Sequence, residues 1–330
     1  MQRGFFLYLI EKISEKIPPK KSLANELMGI LQVNRSTVYK KIRGDTAFTM
    51  EEVLTLAQTY EISIDNWLFQ DSSKLLIEYS FDLQSHNKPT DYLKNLQSGL
   101  EYIQSLGRTE IWYTAFEWPV FWYMFFPELL VFKMFAWSKG NWKQEHVFDS
   151  SFEPQRILEE YPEIEKYRIK LLNLYLHLGA TEIWPNNLPD QFISQIKIAL
   201  DSGYIKQSIA TGLIDQIQEV LKLQYEMLTL GVKFHPETRN RGANFDVYLN
   251  EMTISNDLVL VRNAKHTIAW VSIDNPHYAK TDNPLMVDHL YSYVEGLKEV
   301  STKISRESEQ RRRKLYDQMD RKLSDLRASI

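Results

Sequence analysis

Apolar residues recur every three or four positions through the first 70 residues, which is the spacing of amphipathic helices. Five helices are predicted there. Their predicted limits are Gly4–Ile17 ended by Pro18 and Pro19, Lys20–Leu31, a third helix from the N-cap Asn34 to Arg43 with Gly44 after it, a fourth from the Thr49–Glu52 capping box, and a short fifth capped by Ser63. A linker is expected at residues 69–73.

Beyond the linker the pattern mixes helices with strands. The predicted elements are an extended segment over 74–83, a helix over Pro89–Leu106, a strand over Thr109–Ala115, helices over about 154–178, 188–201 and 205–230, three strands over Phe245–Glu251, Leu258–Arg262 and Thr267–Ile273, and a long helix from about Pro284. The three late strands are typical of an antiparallel meander. The charged end of the last helix, after Arg306, indicates a solvated face, and a coiled coil is the alternative.

The predicted fold class is therefore mainly α. A five-helix domain covers residues 1–70, and an α-rich α+β domain with a small antiparallel sheet covers residues 74–330.

An aromatic stretch, Trp118–Trp137, is about as long as a membrane span. It contains Pro127, Glu128 and Lys133 near its middle. A charge at the centre of a bilayer costs roughly 2.5–3.5 kcal/mol on insertion scales. Two buried segments broken at Pro127 are therefore expected instead, and no membrane is predicted as a partner.

The segments Gly107–Trp112 and Gly179–Trp184 share the sequence TEIW, and each follows a predicted amphipathic helix. A duplicated helix–strand unit is one interpretation. Pro185, Pro189 and two asparagines after the second copy favour a loop there and a coincidental likeness.

Charge is distributed unevenly along the chain. The net charge is −4, yet between Lys20 and Arg43 six basic residues oppose Glu26 alone. A local basic face on an acidic protein is what contact with phosphates requires. The chain has no cysteine and no secretory signal pattern, and a cytoplasmic location is expected.

The stretch from Leu27 to Gly44 has the composition of a DNA-reading helix and its support. Val38 and Ile42 lie four residues apart on one helix face, where Leu27, Leu31 and Val33 can meet them. The outer face is polar. The residues predicted to bind DNA are Arg35, Ser36, Thr37 and Tyr39 at base edges, and Lys40, Arg43, Lys20 and Lys21 mostly at phosphates.

These residues resemble the phage-repressor-like (Xre-type) helix-turn-helix family, through Asn34–Tyr39, the Gly44 stop and the closing segment Ile62–Leu68. The resemblance covers roughly residues 5–70 and implies double-stranded DNA as a partner. Gln32 stands where the family usually has glycine, which implies a non-glycine residue in a left-handed turn, and Met28 stands where it usually has alanine. Through Phe126–Trp137 and Thr181–Trp184, the C-terminal part resembles the unassigned effector domains attached to such regulators, which implies no known ligand or activity.

Catalytic chemistry is not visible in the sequence. The seven histidines show no paired metal spacing, and no glycine-rich phosphate loop or nucleophile elbow occurs. No catalytic residue, metal or cofactor is therefore predicted. The predicted function is a sequence-specific transcriptional regulator, a homodimer whose C-terminal domain dimerises or senses a small-molecule or protein effector. An enzyme that carries the helix-turn-helix for targeting or autoregulation is the alternative.

Overall fold

The computed structural model describes residues 2–17, 21–60, 62–68, 78–79, 88–140, 151–252, 256–274 and 276–330. The chain divides into two compact units, Met1–Leu76 and Ile77–Ile330. The linker predicted at 69–73 lies outside the described residues.

Five helices form the described part of the N-terminal unit, as the sequence predicts. They are α1 (Gln2–Lys16), α2 (Leu23–Leu31), α3 (Arg35–Ile42), α4 (Met50–Thr59) and α5 (Ile64–Leu68). The predicted capping box at the start of α4 is present, with the Thr49 side chain and the Glu52 side chain each accepting a backbone N–H of the other. Gly44, just after α3, has the positive φ of +76° that favours glycine at a helix end.

The C-terminal unit contains the remaining elements. Its helices are α6 (Pro89–Ser105), α7 (Val120–Tyr123), α8 (Pro127–Lys139), α9 (Pro154–Glu160), α10 (Glu163–His177), α11 (Asp190–Asp201), α12 (Gln207–Leu230), α13 (Pro284–Glu299) and α14 (Glu309–Ala328). Its strands are β1 (Glu78–Tyr79), β2 (Glu110–Thr114), β3 (Ala180–Pro185), β4 (Val232–Phe234), β5 (Arg241–Asn250), β6 (Leu258–Arg262), β7 (Thr267–Asp274), β8 (His277–Thr281) and β9 (Thr302–Lys303).

The mainly α class is confirmed, but the sheet is larger than the predicted small antiparallel one. Among the described residues, eight strands pair in the order β1-β8-β7-β6-β2-β3-β5-β4, and a ninth strand, β9, pairs with β5. The strands β2, β3 and β5 run parallel, whereas β6, β7 and β8 form an antiparallel meander. The predicted meander was therefore wrong at its first strand, because β5 pairs with β3 and β6 pairs with β2.

Both TEIW segments are strands, which corrects the loop expected at the second copy. The strands β2 and β3 are parallel neighbours, and Trp112 lies opposite Thr181. Each copy follows a helix, and the two helices, α6 and α10, pack against each other. The arrangement is that of a repeated helix–strand unit. Proline at position 185 is tolerated because it is the last residue of its strand.

Two apolar layers cover the two faces of the sheet. One contains Trp184, α7, α8 and most of the other helices, and the second contains Trp112 and the inner side of α13. The aromatic stretch Trp118–Trp137 belongs to the first layer, as two helices separated before Pro127. None of the helices in the described part of the chain is long and apolar enough to cross a membrane.

Two predicted helices are each divided in the structure. The segment 154–178 breaks at Tyr161, because Pro162 disfavours the helical conformation in the residue before it. The last segment breaks after Glu299, where β9 pairs with β5. The charged helix α14 then packs its apolar stripe, Leu315, Met319, Leu323 and Leu326, into the core of its own unit. This packing fits the solvated-face interpretation of α14, since the stripe that a coiled coil would use is already buried.

Candidate nucleic-acid interface

The helices α2 and α3 are joined by a tight turn whose geometry depends on two residues. Gln32 adopts the left-handed conformation, with φ 52° and ψ 37°, as expected for a non-glycine residue at this turn. Asn34 then caps α3, because its side-chain oxygen accepts the backbone N–H of Thr37 at 2.9 Å. The turn and the cap together set where α3 begins.

The inner face of α3 packs on the other helices of the unit. Val38 is fully buried in one cluster with Leu27 of α2, and Ile42 and Val33 are partly buried against that cluster. Because a buried Val38 fixes the rotation of α3 about its axis, the opposite face of the helix is directed to solvent.

The outer face carries most of the side chains predicted to bind DNA. Those exposed are Arg35, Ser36, Tyr39, Lys40 and Arg43. Thr37 is only partly exposed, and its hydroxyl donates to the cap residue Asn34 at 3.0 Å. Among the residues predicted to bind DNA, Thr37 therefore also contributes to the cap of α3.

Arg35 and Tyr39 form a pair on this outer face. The guanidinium carbon of Arg35 lies 5.7 Å from the centre of the Tyr39 ring. A hydrogen bond to the Tyr39 side chain raises the pKa of Arg35. Residues spaced by four positions share one helix face, and the pair therefore restricts the Arg35 side chain before any partner arrives.

Two of the predicted phosphate contacts, Arg43 and Lys21, form weak surface ion pairs. Arg43 Nε lies 3.0 Å from Asp45 Oδ2, and Lys21 Nζ lies 3.0 Å from Glu26 Oε1; Glu26 is partly exposed and the other three side chains are largely exposed. Exposed pairs of this kind contribute about 0–1 kcal/mol, so an incoming phosphate can replace the carboxylate. Lys20 lies outside the described residues.

Lys41 is a cation of α3 that does not belong to the basic surface. Its side chain is 6% exposed, and its ammonium donates to Glu52 at 2.7 Å and to the carbonyl of Ala47 at 2.8 Å. Burial raises the pKa of Glu52, but the hydrogen bonds from Lys41 and the Thr49 backbone outweigh it, so the net shift is downward. This ion pair connects the end of α3 to the start of α4.

Lys41 is one of the six basic residues between Lys20 and Arg43, and its ion pair was not predicted. The signal was present, because Lys41 follows Val38 by three residues and therefore shares its buried face. Glu52 was singled out only as a capping residue, and the structure gives it the ion pair as a second contact.

Comparison with known proteins gives one match, and it lies in the N-terminal unit. No curated protein and no solved structure matches the chain. One family model does match, at residues 9–75, and these residues include α2 through α5. A BetR domain, a helix-turn-helix-type DNA-binding domain of transcriptional regulators, spans residues 9–75 of this chain.

Proposed function

We propose that the protein is a sequence-specific transcriptional regulator that reads double-stranded DNA with α3. The observation that carries the proposal is the division of α3, inside a BetR domain, into a face packed through Val38 and an exposed polar face. Arg35 and Ser36 extend from the first turn of the helix, which is the part that reaches deepest into a major groove, and Tyr39 lies one turn further along on the face of Arg35. Arginine contributes a bidentate contact to guanine, the commonest specific contact of this kind.

In this proposal, the contacts with phosphates are made by Lys40, Arg43 and Lys21. Their charges lie on exposed side chains, and none of them is held by a buried partner. Such contacts bind any sequence and weaken as the salt concentration rises, since counterions are released from the DNA.

The test is a binding titration at several salt concentrations, against a site selected from random DNA and against its scrambled form. Arg35→Ala is expected to cost about 1–3 kcal/mol on the selected site and little on the scrambled one. Lys40→Ala is expected to weaken both duplexes and to lower the salt slope by about one unit. Lys222→Ala is the matched control, because it removes an exposed lysine of the C-terminal unit.

Two results would contradict the proposal. Equal losses on both duplexes for Arg35→Ala and Lys40→Ala would show that Arg35 does not read bases. Unchanged binding by both folded variants would show that α3 is not the DNA reader.

A homodimer is the second part of the proposal, with the C-terminal unit as the platform for assembly or for an effector. One reading helix offers only about three or four side chains to base edges, so a single copy discriminates poorly between sites. We expect two chains on each selected site. Sedimentation of the full chain, alone and with the duplex, measures this number, and one chain per site would rule out the dimer. The proposal assigns no reaction to the protein and places it in the cytoplasm.

A further inference from the structure

The guanidinium of Arg35 lies beside a ring, whereas that of Arg43 lies beside a carboxylate. The carbon Cζ of Arg35 is 5.7 Å from the centre of the Tyr39 ring, and Arg43 Nε is 3.0 Å from Asp45 Oδ2. Among the residues that the structure describes, no carboxylate pairs with Arg35. A guanidinium has five N–H donors in one plane, and a neighbouring aromatic ring leaves most of them available to the edge of a base.

The two side chains form one surface on the outer face of α3. Arg35 is exposed at the first position of the helix, and Tyr39 is 40% exposed one turn later. The buried Val38 holds the helix in this rotation. A partner that meets this face therefore meets a charged group and an apolar ring together.

The spacing of the pair suits neighbouring base pairs of a duplex. Four residues of a helix rise by about 6 Å, and base pairs are stacked about 3.4 Å apart. The guanidinium and the ring approach each other more closely than this rise, because the edge of the ring is nearer to Arg35 than its centre is. When Arg35 meets one base pair, the Tyr39 ring is therefore placed against the adjacent pair.

The chemistry of the major groove then specifies the two bases. Guanine presents two acceptors, O6 and N7, which match the paired donors of an arginine. The C5-methyl group of thymine is the one apolar group that the four ordinary bases present in this groove. An arginine that carries an aromatic ring beside it is thus complementary to a guanine whose neighbour is a thymine.

We propose that Arg35 and Tyr39 act as one unit that reads a guanine beside a thymine, with the guanidinium on O6 and N7 of the guanine and the ring against the thymine methyl group. This inference rests on the proposed function of α3 and specifies the bases that the helix prefers. Tyr39 also positions Arg35, because the ring restricts the guanidinium before DNA arrives and less conformational freedom is then lost on binding.

The test measures the affinity of the full chain for duplexes that differ by single groups. Sites are first selected from random DNA, and a guanine with a thymine at the adjacent base pair is expected in each. In one duplex, deoxyuridine replaces that thymine and removes only the methyl group, and about fourfold weaker binding is expected. In another, 7-deazaguanine replaces the guanine and removes the N7 acceptor, and a loss of about fivefold or more is expected.

Variants assign each of these losses to a side chain. Tyr39→Ala should bind the thymine and deoxyuridine duplexes equally, whereas Tyr39→Phe, which keeps the ring, should still show the fourfold difference. Arg35→Ala should no longer distinguish 7-deazaguanine from guanine, and Tyr39→Ala should distinguish them less well than the parent chain. Lys40→Ala is the matched control, because it removes an exposed cation of the same helix, and it should keep both differences while it binds every duplex more weakly.

Three results would overturn the inference and leave the proposed function standing. They are selected sites without an adjacent guanine and thymine, equal binding of the thymine and deoxyuridine duplexes by the parent chain, and an undiminished fourfold difference in folded Tyr39→Ala protein. The proposed function stands in these cases as long as Arg35→Ala weakens binding to the selected site more than to its scrambled form. If the parent chain selects no site, or if neither Arg35→Ala nor Lys40→Ala changes binding, the proposed function fails and this inference fails with it.

Discussion

The two units place their charged side chains in opposite ways. In the N-terminal unit the described charges lie at the surface except for Lys41, which pairs with Glu52 at the edge of the core. In the C-terminal unit the buried groups include Glu117, Lys133, Glu182, Lys233, Asp257 and Arg312. The charges of the first unit are therefore available to a partner, whereas many charges of the second hold the fold together.

The group around Glu182 shows how the C-terminal unit tolerates buried charge. Its two carboxylate oxygens accept from the Tyr175 hydroxyl and the Trp184 ring N–H, both at 2.9 Å. Lys233 Nζ lies 3.7 Å from the same carboxylate and donates to the carbonyl of Leu178 at 3.0 Å. A buried ion pair is tolerated when its remaining hydrogen-bonding capacity is used in this way.

The largest loss of stability is expected when a charge is placed inside the N-terminal unit. Val38→Asp buries a carboxylate without a cation and should cost at least about 4–5 kcal/mol, enough to unfold a unit with so small a core. Circular dichroism of the full chain should show loss of the helices of that unit. Ser36→Asp, the same charge on the exposed face of α3, should leave them intact. An unchanged spectrum for Val38→Asp would mean that Val38 is not packed as described.

The converse change removes a buried charge from the C-terminal unit. Lys233→Met should lower the free energy of unfolding by about 3–5 kcal/mol, because Glu182 loses its cation while it stays buried. Denaturant unfolding followed by tryptophan fluorescence measures the loss, since Trp184 contacts Glu182. Adding Glu182→Gln should recover part of it. If the single variant were as stable as the parent, the ion pair would not be important for the fold.

The smallest expected effects concern one left-handed residue in each unit. Gln32, with φ 52°, adopts a conformation that favours glycine, so Gln32→Gly should stabilise the N-terminal unit by up to about 1 kcal/mol. Gly107 has φ +76° and open space where a Cβ would stand. Gly107→Ala should therefore destabilise the C-terminal unit by about 1 kcal/mol, from backbone strain alone. Unfolding curves of the two variants, read separately for each unit, should move in opposite directions.

The same division explains which parts of the fold the sequence could predict. The helices of the N-terminal unit follow from local signals, such as the Asn34 cap and the Thr49–Glu52 box, and these predictions were confirmed. The pairing of β5 with β3 was not predicted. The helices α11 and α12 separate the two strands in the sequence, and no local pattern identifies the strand with which another strand pairs.

The candidate site shows the same limit at the level of single side chains. Helical spacing separates the outer face of α3 from Val38, and that separation was predicted correctly. The pairing of Arg43 with Asp45, and the burial of Lys41 against Glu52, depend on how the chain turns after α3. A cleft beside Asp257, in the C-terminal unit, is lined by residues from five separate segments of the chain, so spacing along the chain could not indicate it.

The shared letters of β2 and β3 have a consequence for reading mutations in this protein. Because Trp112 lies opposite Thr181, an offset of three residues separates the two tryptophans, and they enter different apolar layers. Glu110 is exposed, whereas its counterpart Glu182 is fully buried. The substitutions that one copy tolerates therefore do not predict those that the other copy tolerates. Two positions that an alignment of the repeats would treat as equivalent therefore lie in different physical environments.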